Sequence, residues 1–173
     1  VIPLISTAGT GVQLKTIEAG TSVGYGSLWT ATRRSVLGLV PVGYADGFPA
    51  TTTASLGRAP LRVAVVLSLA AGTMRHYAPV VGAVNMDQLC IDLTDVMDLG
   101  GGPELRIGVG TTVEILTADR RAPNHLAALA SAAGTIPHDI LCRLGRGIRR
   151  HYVTEAATPG TVRRVTAAAA GAR

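Results

Sequence analysis

Three short segments place a polar side chain where a strand run meets a turn. In SVGYGS, residues 22–27, Tyr25 stands between Gly24 and Gly26. Glycine on both sides lets the backbone bend sharply and lets a ligand approach closely, leaving a phenol that can give or accept a proton. In PVGYADGFP, residues 41–49, Tyr44 and Asp46 lie in a glycine-bounded turn. In NMDQ, residues 85–88, Met86 and Asp87 follow an apolar run. Rigid strands ending in such turns are the usual support for functional groups. Each segment also has a plain structural explanation: a tyrosine capping the end of a sheet, an Asp-Gly turn with Asp46 bonded to nearby backbone, a core methionine followed by a strand-end cap. Residue types alone leave the choice open.

Other chemistries find less support. Cys90 and Cys142 are far apart and share no metal-ligand spacing with His76, His125, His138 or His151, so neither a zinc site nor a disulfide framework is indicated, and reduced thiols in a cytoplasmic protein are expected. Lys15 is the only lysine, and it falls on an alternating strand run with no phosphate cradle beside it. The glycines at 100–102 and 108–110 are not followed directly by a helix and read as turns. The formal net charge is +5, but residues 143–173 hold seven arginines against Glu155 alone, so the basicity belongs to the C-terminal end. A basic groove across the fold, as a nucleic-acid reader would show, is not supported. The apolar opening lacks a charged leader region, and the run 63–67 is too short to span a bilayer, so no membrane partner is expected. The chain begins with Val rather than Met, which points to processing or to a piece of something longer.

The elements that must position these residues are mostly strands. With 173 residues, 47% of them hydrophobic and 16% charged, the chain suits one turn-rich globular domain and is too short for a (β/α)8 barrel of roughly 250 residues. Residues 12–17 alternate in period two, and 36–42, 61–67, 79–84, 88–93 and 112–116 are short β-branched runs punctuated by Gly and Pro. Then the period changes. Pro123 in a first turn, with Leu126, Leu129, Ala130 and Ala133 at helical spacing, predicts a helix stopping at Gly134, and Pro137 opens a second. A last strand is expected at about 148–153. The expected fold is therefore mainly β, a compact β-barrel-like domain over residues 1–153 with two short helices near its C-terminal end, followed by a disordered tail at 154–173.

Together and in this order, GYG, GYADG and MDQ make the chain similar to the C-terminal domain of the alanine racemases, pyridoxal-phosphate enzymes built from a barrel and a β-domain. The resemblance spans nearly all of residues 10–153: EAGTSVGYGSLWTA, PVGYADGFP, VVGAVNMDQLCIDLTD, GTTVEIL, AGTIPHDILCRLG and GIRRHYV follow in the family's order. It implies that pyridoxal phosphate is bound mainly by an N-terminal (β/α)8 barrel, whose Schiff-base lysine is absent from this chain. That lysine would serve one face of the substrate, and Tyr25, from the β-domain of the opposite subunit of a homodimer, the other. An ordinary tyrosine titrates near 10, so as a base near neutrality it needs neighbouring positive charge. The resemblance further implies that the Met86 backbone N–H binds the substrate carboxylate with Asp87 beside it, and that Tyr44 lines the substrate entrance. The implied activity interconverts L- and D-alanine, a small-molecule substrate, in the cytoplasm for cell-wall synthesis. Ala50, Thr51 and Ala83 depart from the pattern, falling at or near positions where the family commonly has arginines, and Gly145-Arg146-Gly147 replaces a stretch that often includes a phosphate-contacting tyrosine. The alternative is a non-catalytic association or binding module that keeps the β-domain fold after loss of the barrel.

Overall fold

The computed structural model describes residues 8–10, 13–50, 59–69, 72–97 and 107–144. Within them are nine strands: β1 (Ala8–Thr10), β2 (Gln13–Ile17), β3 (Ser22–Val23), β4 (Trp29–Thr30), β5 (Ser35–Val40), β6 (Arg62–Leu69), β7 (Gly72–Val81), β8 (Leu89–Asp92) and β9 (Thr112–Glu114). Seven form one sheet in the order β1-β9-β6-β7-β8-β5-β2, and β3 with β4 forms a separate two-stranded hairpin. Every strand pair is antiparallel. The two outermost strands of the order, β1 and β2, are only two residues apart along the chain.

Central strands explain the apolar runs. Val63, Ala64 and Val65 of β6 are all fully buried, so the run lacks alternation because both of its faces are covered. β7 is longer than expected. The sequence suggests a strand over 79–84, whereas the structure extends it back to Gly72 and ends it at Val81, before Gly82 at φ +70°. Residues 72–75 are exposed and show no apolar signal; the backbone ladder to β6, from Leu69 opposite Gly72 to Arg62 opposite Pro79, defines them as strand. Beyond that ladder Val80 and Val81 pair with Ile91 and Cys90, so one strand joins the two halves of the sheet.

Three α-helices lie among the described residues: α1 (Thr94–Met97), α2 (Leu126–Ala133) and α3 (Pro137–Arg143). The one-turn α1 was not expected from the sequence; the Asp92 carboxylate accepts the Thr94 N–H at 2.9 Å at its start. Pro123 is not in the first turn of α2. That helix is capped by His125, whose Nδ1 accepts the Ala127 N–H at 3.3 Å, and Pro123 lies in the preceding turn. The turn is fixed by the fully buried Asn124, whose amide donates to the Glu114 carbonyl at 3.0 Å. α2 stops at Gly134 in the left-handed conformation, and Pro137 opens α3, both as expected. Leu129, Ala130, Ala133, Ile140 and Leu144 join the strand residues in one core cluster. The expected strand at 148–153, the tail at 154–173 and the boundary between them lie outside the described residues, as do Thr51 and Gly145-Arg146-Gly147.

The link from α2 to α3 carries a titratable brace. Arg143 Nε donates to Asp139 Oδ1 at 2.8 Å, and Thr135 Oγ1 donates to Oδ2 at 2.7 Å. The Arg143 bond, then the Thr135 bond, holds the Asp139 carboxyl below its ordinary range. A carboxylate depressed in the folded state stabilises the fold above its unfolded pKa, about 3.9, and that contribution is lost as pH falls through the folded-state value. Asp139→Asn should therefore melt below the wild type at neutral pH and converge with it in acid. A melting gap that stays constant across pH would show that the charge is not the cause.

Candidate functional site

Tyr25 lies at the tip of the β3-β4 hairpin, where Ser22 pairs with Thr30 and Val23 with Trp29. The tip is a short 3-10 turn, Tyr25–Ser27, entered through Gly24 at φ +75° and continued by Gly26 at φ +71°. Ser27 follows at φ +49°, the one non-glycine residue at positive φ among the described residues. Such a turn excludes ordinary side chains at both glycine positions. It leaves Tyr25 78% exposed. Beneath it the hairpin touches the segment that leaves β7: a Cβ on Gly24 would lie 3.0 Å from the Ala83 nitrogen, and one on Gly82 would lie 2.8 Å from the Val23 carbonyl oxygen. The hairpin's apolar side, Val23 and Trp29, packs on Ile17, Ala31, Leu37 and Val81.

Tyr44 opens a second 3-10 turn, Tyr44–Asp46. Asp46 closes it as the sequence suggests, its Oδ2 accepting the Gly43 N–H at 3.0 Å. Gly47 donates to the Tyr44 carbonyl at 3.1 Å, and Phe48 donates to the Gly43 carbonyl at 3.2 Å. Phe48 itself is 1% exposed and belongs to the main core cluster. The turn therefore hangs on the core while Tyr44 stays half exposed at 49%.

The third motif meets the second through backbone. Tyr44 N–H donates to the Asn85 carbonyl at 3.0 Å, and Ala45 N–H donates to the Met86 carbonyl at 2.9 Å. The approach is so close that a Cβ on Gly43 would fall 2.2 Å from the Met86 oxygen. Asn85 N–H in turn bonds the Gln88 carbonyl at 2.9 Å, closing the 85–88 turn. Met86 and Asp87 are exposed, and the Met86 N–H has no acceptor among the described residues. Asn85 Oδ1 is buried with no hydrogen-bond partner among them.

All three motifs thus converge on the link between β7 and β8. The Tyr25 turn rests on Gly82 and Ala83, and the Tyr44 turn on Asn85 and Met86; three residues of chain span at most about 11 Å, so the two turns are near neighbours. Tyr25, Leu28, Tyr44 and Met86 are among the exposed large apolar side chains. What the sequence reading did not join is the backbone contact between the motifs, made at Gly43, Gly82 and Asn85; its visible signal was a glycine at 43 and at 82, each where a Cβ would overlap the neighbouring backbone.

A groove of about 450 Å³ runs along β2 and β5 and the entry of the Tyr25 hairpin, away from the Tyr44 and Met86 turns, bordered by Lys15, Ser22, Gly24, Leu37 and Cys90. Burial pushes the Cys90 thiol up. Lys15 is exposed, and neither a second cation nor a helix N-terminus lines the groove, so it is no phosphate cradle. The lining of this groove therefore does not fit the phosphate of pyridoxal phosphate. Of the positions where the resemblance sets arginine, Ala50 is exposed and Ala83 is half-buried under the hairpin.

Comparison with known proteins points to a single family. The profile of the family "Alanine racemase, C-terminal domain" matches residues 5–152. The alanine racemase of Clostridium kluyveri is 31% identical over 152 residues, covering 87% of this chain and 33% of that protein. That of Treponema pallidum is 35% identical over 146 residues, covering 81% and 32%. Among solved structures, the biosynthetic alanine racemase of Pseudomonas aeruginosa superposes with a TM-score of 0.65 at 31% identity, covering 86% of this chain and 35% of that one. The Bartonella henselae enzyme, solved with covalently bound pyridoxal phosphate, gives 0.55 at 28% identity, covering 79% and 32%. The chain spans about a third of the length of these relatives.

Proposed function

Because the chain belongs to the alanine racemase C-terminal domain family, we propose that it forms one wall of an amino-acid racemase active site, in which Tyr25 exchanges the α-proton on one face of alanine. The observation that carries this reading is the convergence of an exposed Tyr25 and an unpaired Met86 N–H on one short link. A proton-transfer group and a fixed neutral donor are what this half of the site has to supply: the donor holds the substrate carboxylate, and the phenol gives or takes the proton at the α-carbon. The electron sink that acidifies the α C–H would come from pyridoxal phosphate, which a barrel domain like that of the family would hold. Tyr44 borders the approach to the Met86 N–H, and Asp87 stands beside it. An exposed tip suits a residue that reaches across to the site of a second subunit in a homodimer. With Ala50 and Ala83 neutral, the entrance is less cationic than in arginine-bearing relatives. The setting is cytoplasmic D-alanine supply for cell-wall synthesis.

The test is direct. The intact protein that carries this chain, incubated with pyridoxal phosphate and L-alanine, is expected to yield D-alanine until the two enantiomers are equal. If the cofactor is bound yet no D-alanine forms, the racemase reading is lost and the association-module reading replaces it.

A further inference from the structure

The backbone contacts of the Tyr44–Asp46 turn have a chemical direction. A trans peptide is planar, with its C=O and N–H pointing opposite ways. The peptide between Asn85 and Met86 presents its carbonyl to the Tyr44 N–H at 3.0 Å, so its N–H, that of Met86, points away from the turn, where no described residue accepts it. The next peptide is fixed as well, its Met86 carbonyl bonded to the Ala45 N–H at 2.9 Å. Two consecutive peptide planes are thereby clamped by two consecutive amides of a single turn. A hydrogen bond on the carbonyl side also polarises the peptide and strengthens its N–H as a donor. The turn in turn depends on one side chain, the Asp46 carboxylate on the Gly43 N–H at 3.0 Å. Only glycine fits at position 43 in this close approach, since a Cβ there would fall 2.2 Å from the Met86 oxygen.

We propose that Asp46 is a positioning residue for carboxylate binding: by closing the Tyr44–Asp46 turn it orients the Asn85–Met86 peptide so that the Met86 N–H faces the substrate. This rests on the proposed role of that N–H and extends it to a residue that touches no substrate. A contact to the carboxylate is made equally before and during proton transfer, so its loss raises KM and leaves kcat nearly unchanged.

Two measurements separate this inference from the racemase reading. The sequence has three methionines, Met74, Met86 and Met97, so ¹⁵N-methionine labelling of the chain gives three amide signals. Without any ligand, Asp46→Ala is expected to move the Met86 signal and leave the other two in place, and Asp46→Asn, which keeps an oxygen acceptor, to restore it. Met86 unmoved in Asp46→Ala, or Asn no better than Ala, overturns the proposal whether or not the protein is a racemase. If Asp46→Ala loses all three signals through unfolding, Asp46→Ser takes its place, and an unmoved Met86 signal in it is equally fatal. In the intact enzyme, Asp46→Ala is expected to raise KM for alanine about tenfold with kcat within about threefold, and Asp46→Asn to recover most of the loss. A loss in kcat alone overturns the proposal. Absence of racemisation in the wild type defeats the racemase reading and, with it, the carboxylate-binding role assigned to Asp46, even where the signals move as expected.

Discussion

Tyr25→Phe in the intact protein is expected to lower racemisation by about 10²–10⁴-fold, the usual contribution of a positioned acid/base group, with no loss of melting temperature. The fold should not register the change, because Tyr25 is 78% exposed at a hairpin tip and the described residues give its hydroxyl no hydrogen-bond partner. Racemisation must fall equally in both directions, since the two enantiomers have equal free energy and the ratio of forward to reverse kcat/KM is fixed at one. The face served by Tyr25 therefore shows itself in exchange rather than in turnover. In deuterium oxide, one enantiomer should go on exchanging its α-hydrogen through the group on the opposite face while the other stops. Exchange that survives for both enantiomers would remove Tyr25 from the chemistry. Exchange lost equally for both would assign it to substrate binding instead of to one face.

How much of this was legible beforehand depends on what kind of interaction carries each feature. The β6 run, the stop of α2 at Gly134 and the start of α3 at Pro137 follow from side-chain burial or from a single residue's backbone preference, and the sequence displays both. The first half of β7 is different. Gly72, Thr73, Met74 and Arg75 are exposed and lie in the strand because their backbone pairs with β6, which no local pattern announces. Pro123 misled because a proline preference holds wherever a chain turns, and here the cap is His125 two residues later. For the site, Tyr25, Tyr44, Met86 and Asp87 were legible as unusual residues in glycine-marked turns. Their meeting on residues 82–86 was not, because it is made by amide-to-carbonyl bonds and by the absence of Cβ atoms at Gly24, Gly43 and Gly82. A contact between two backbones leaves no side-chain pattern behind.

Because the Tyr44 turn hangs on it, Phe48 is a residue whose loss should cost both the fold and the site. It is the only phenylalanine in the chain, it is 1% exposed, and it follows directly on the Gly43–Gly47 turn, whose first carbonyl its own N–H bonds at 3.2 Å. Truncating such a side chain removes its buried area and leaves a cavity, so Phe48→Ala is expected to destabilise the domain by about 3–5 kcal/mol. At roughly 2–4 °C per kcal/mol for a domain of this size, the melting temperature should drop by about 10 °C. Phe48→Leu keeps most of the volume and should cost less than about 1.5 kcal/mol. The damage should also be local in kind. The Tyr44 turn is tied to Phe48, whereas the Tyr25 hairpin packs on the separate cluster of Ile17, Ala31, Leu37 and Val81. Below its melting temperature, the alanine variant should therefore show weakened alanine binding while α-hydrogen exchange at saturating substrate persists. A melting temperature within a few degrees of the wild type would show that Phe48 does not anchor the turn. Equal damage to binding and exchange would show that the two halves of the site do not rest on separate supports.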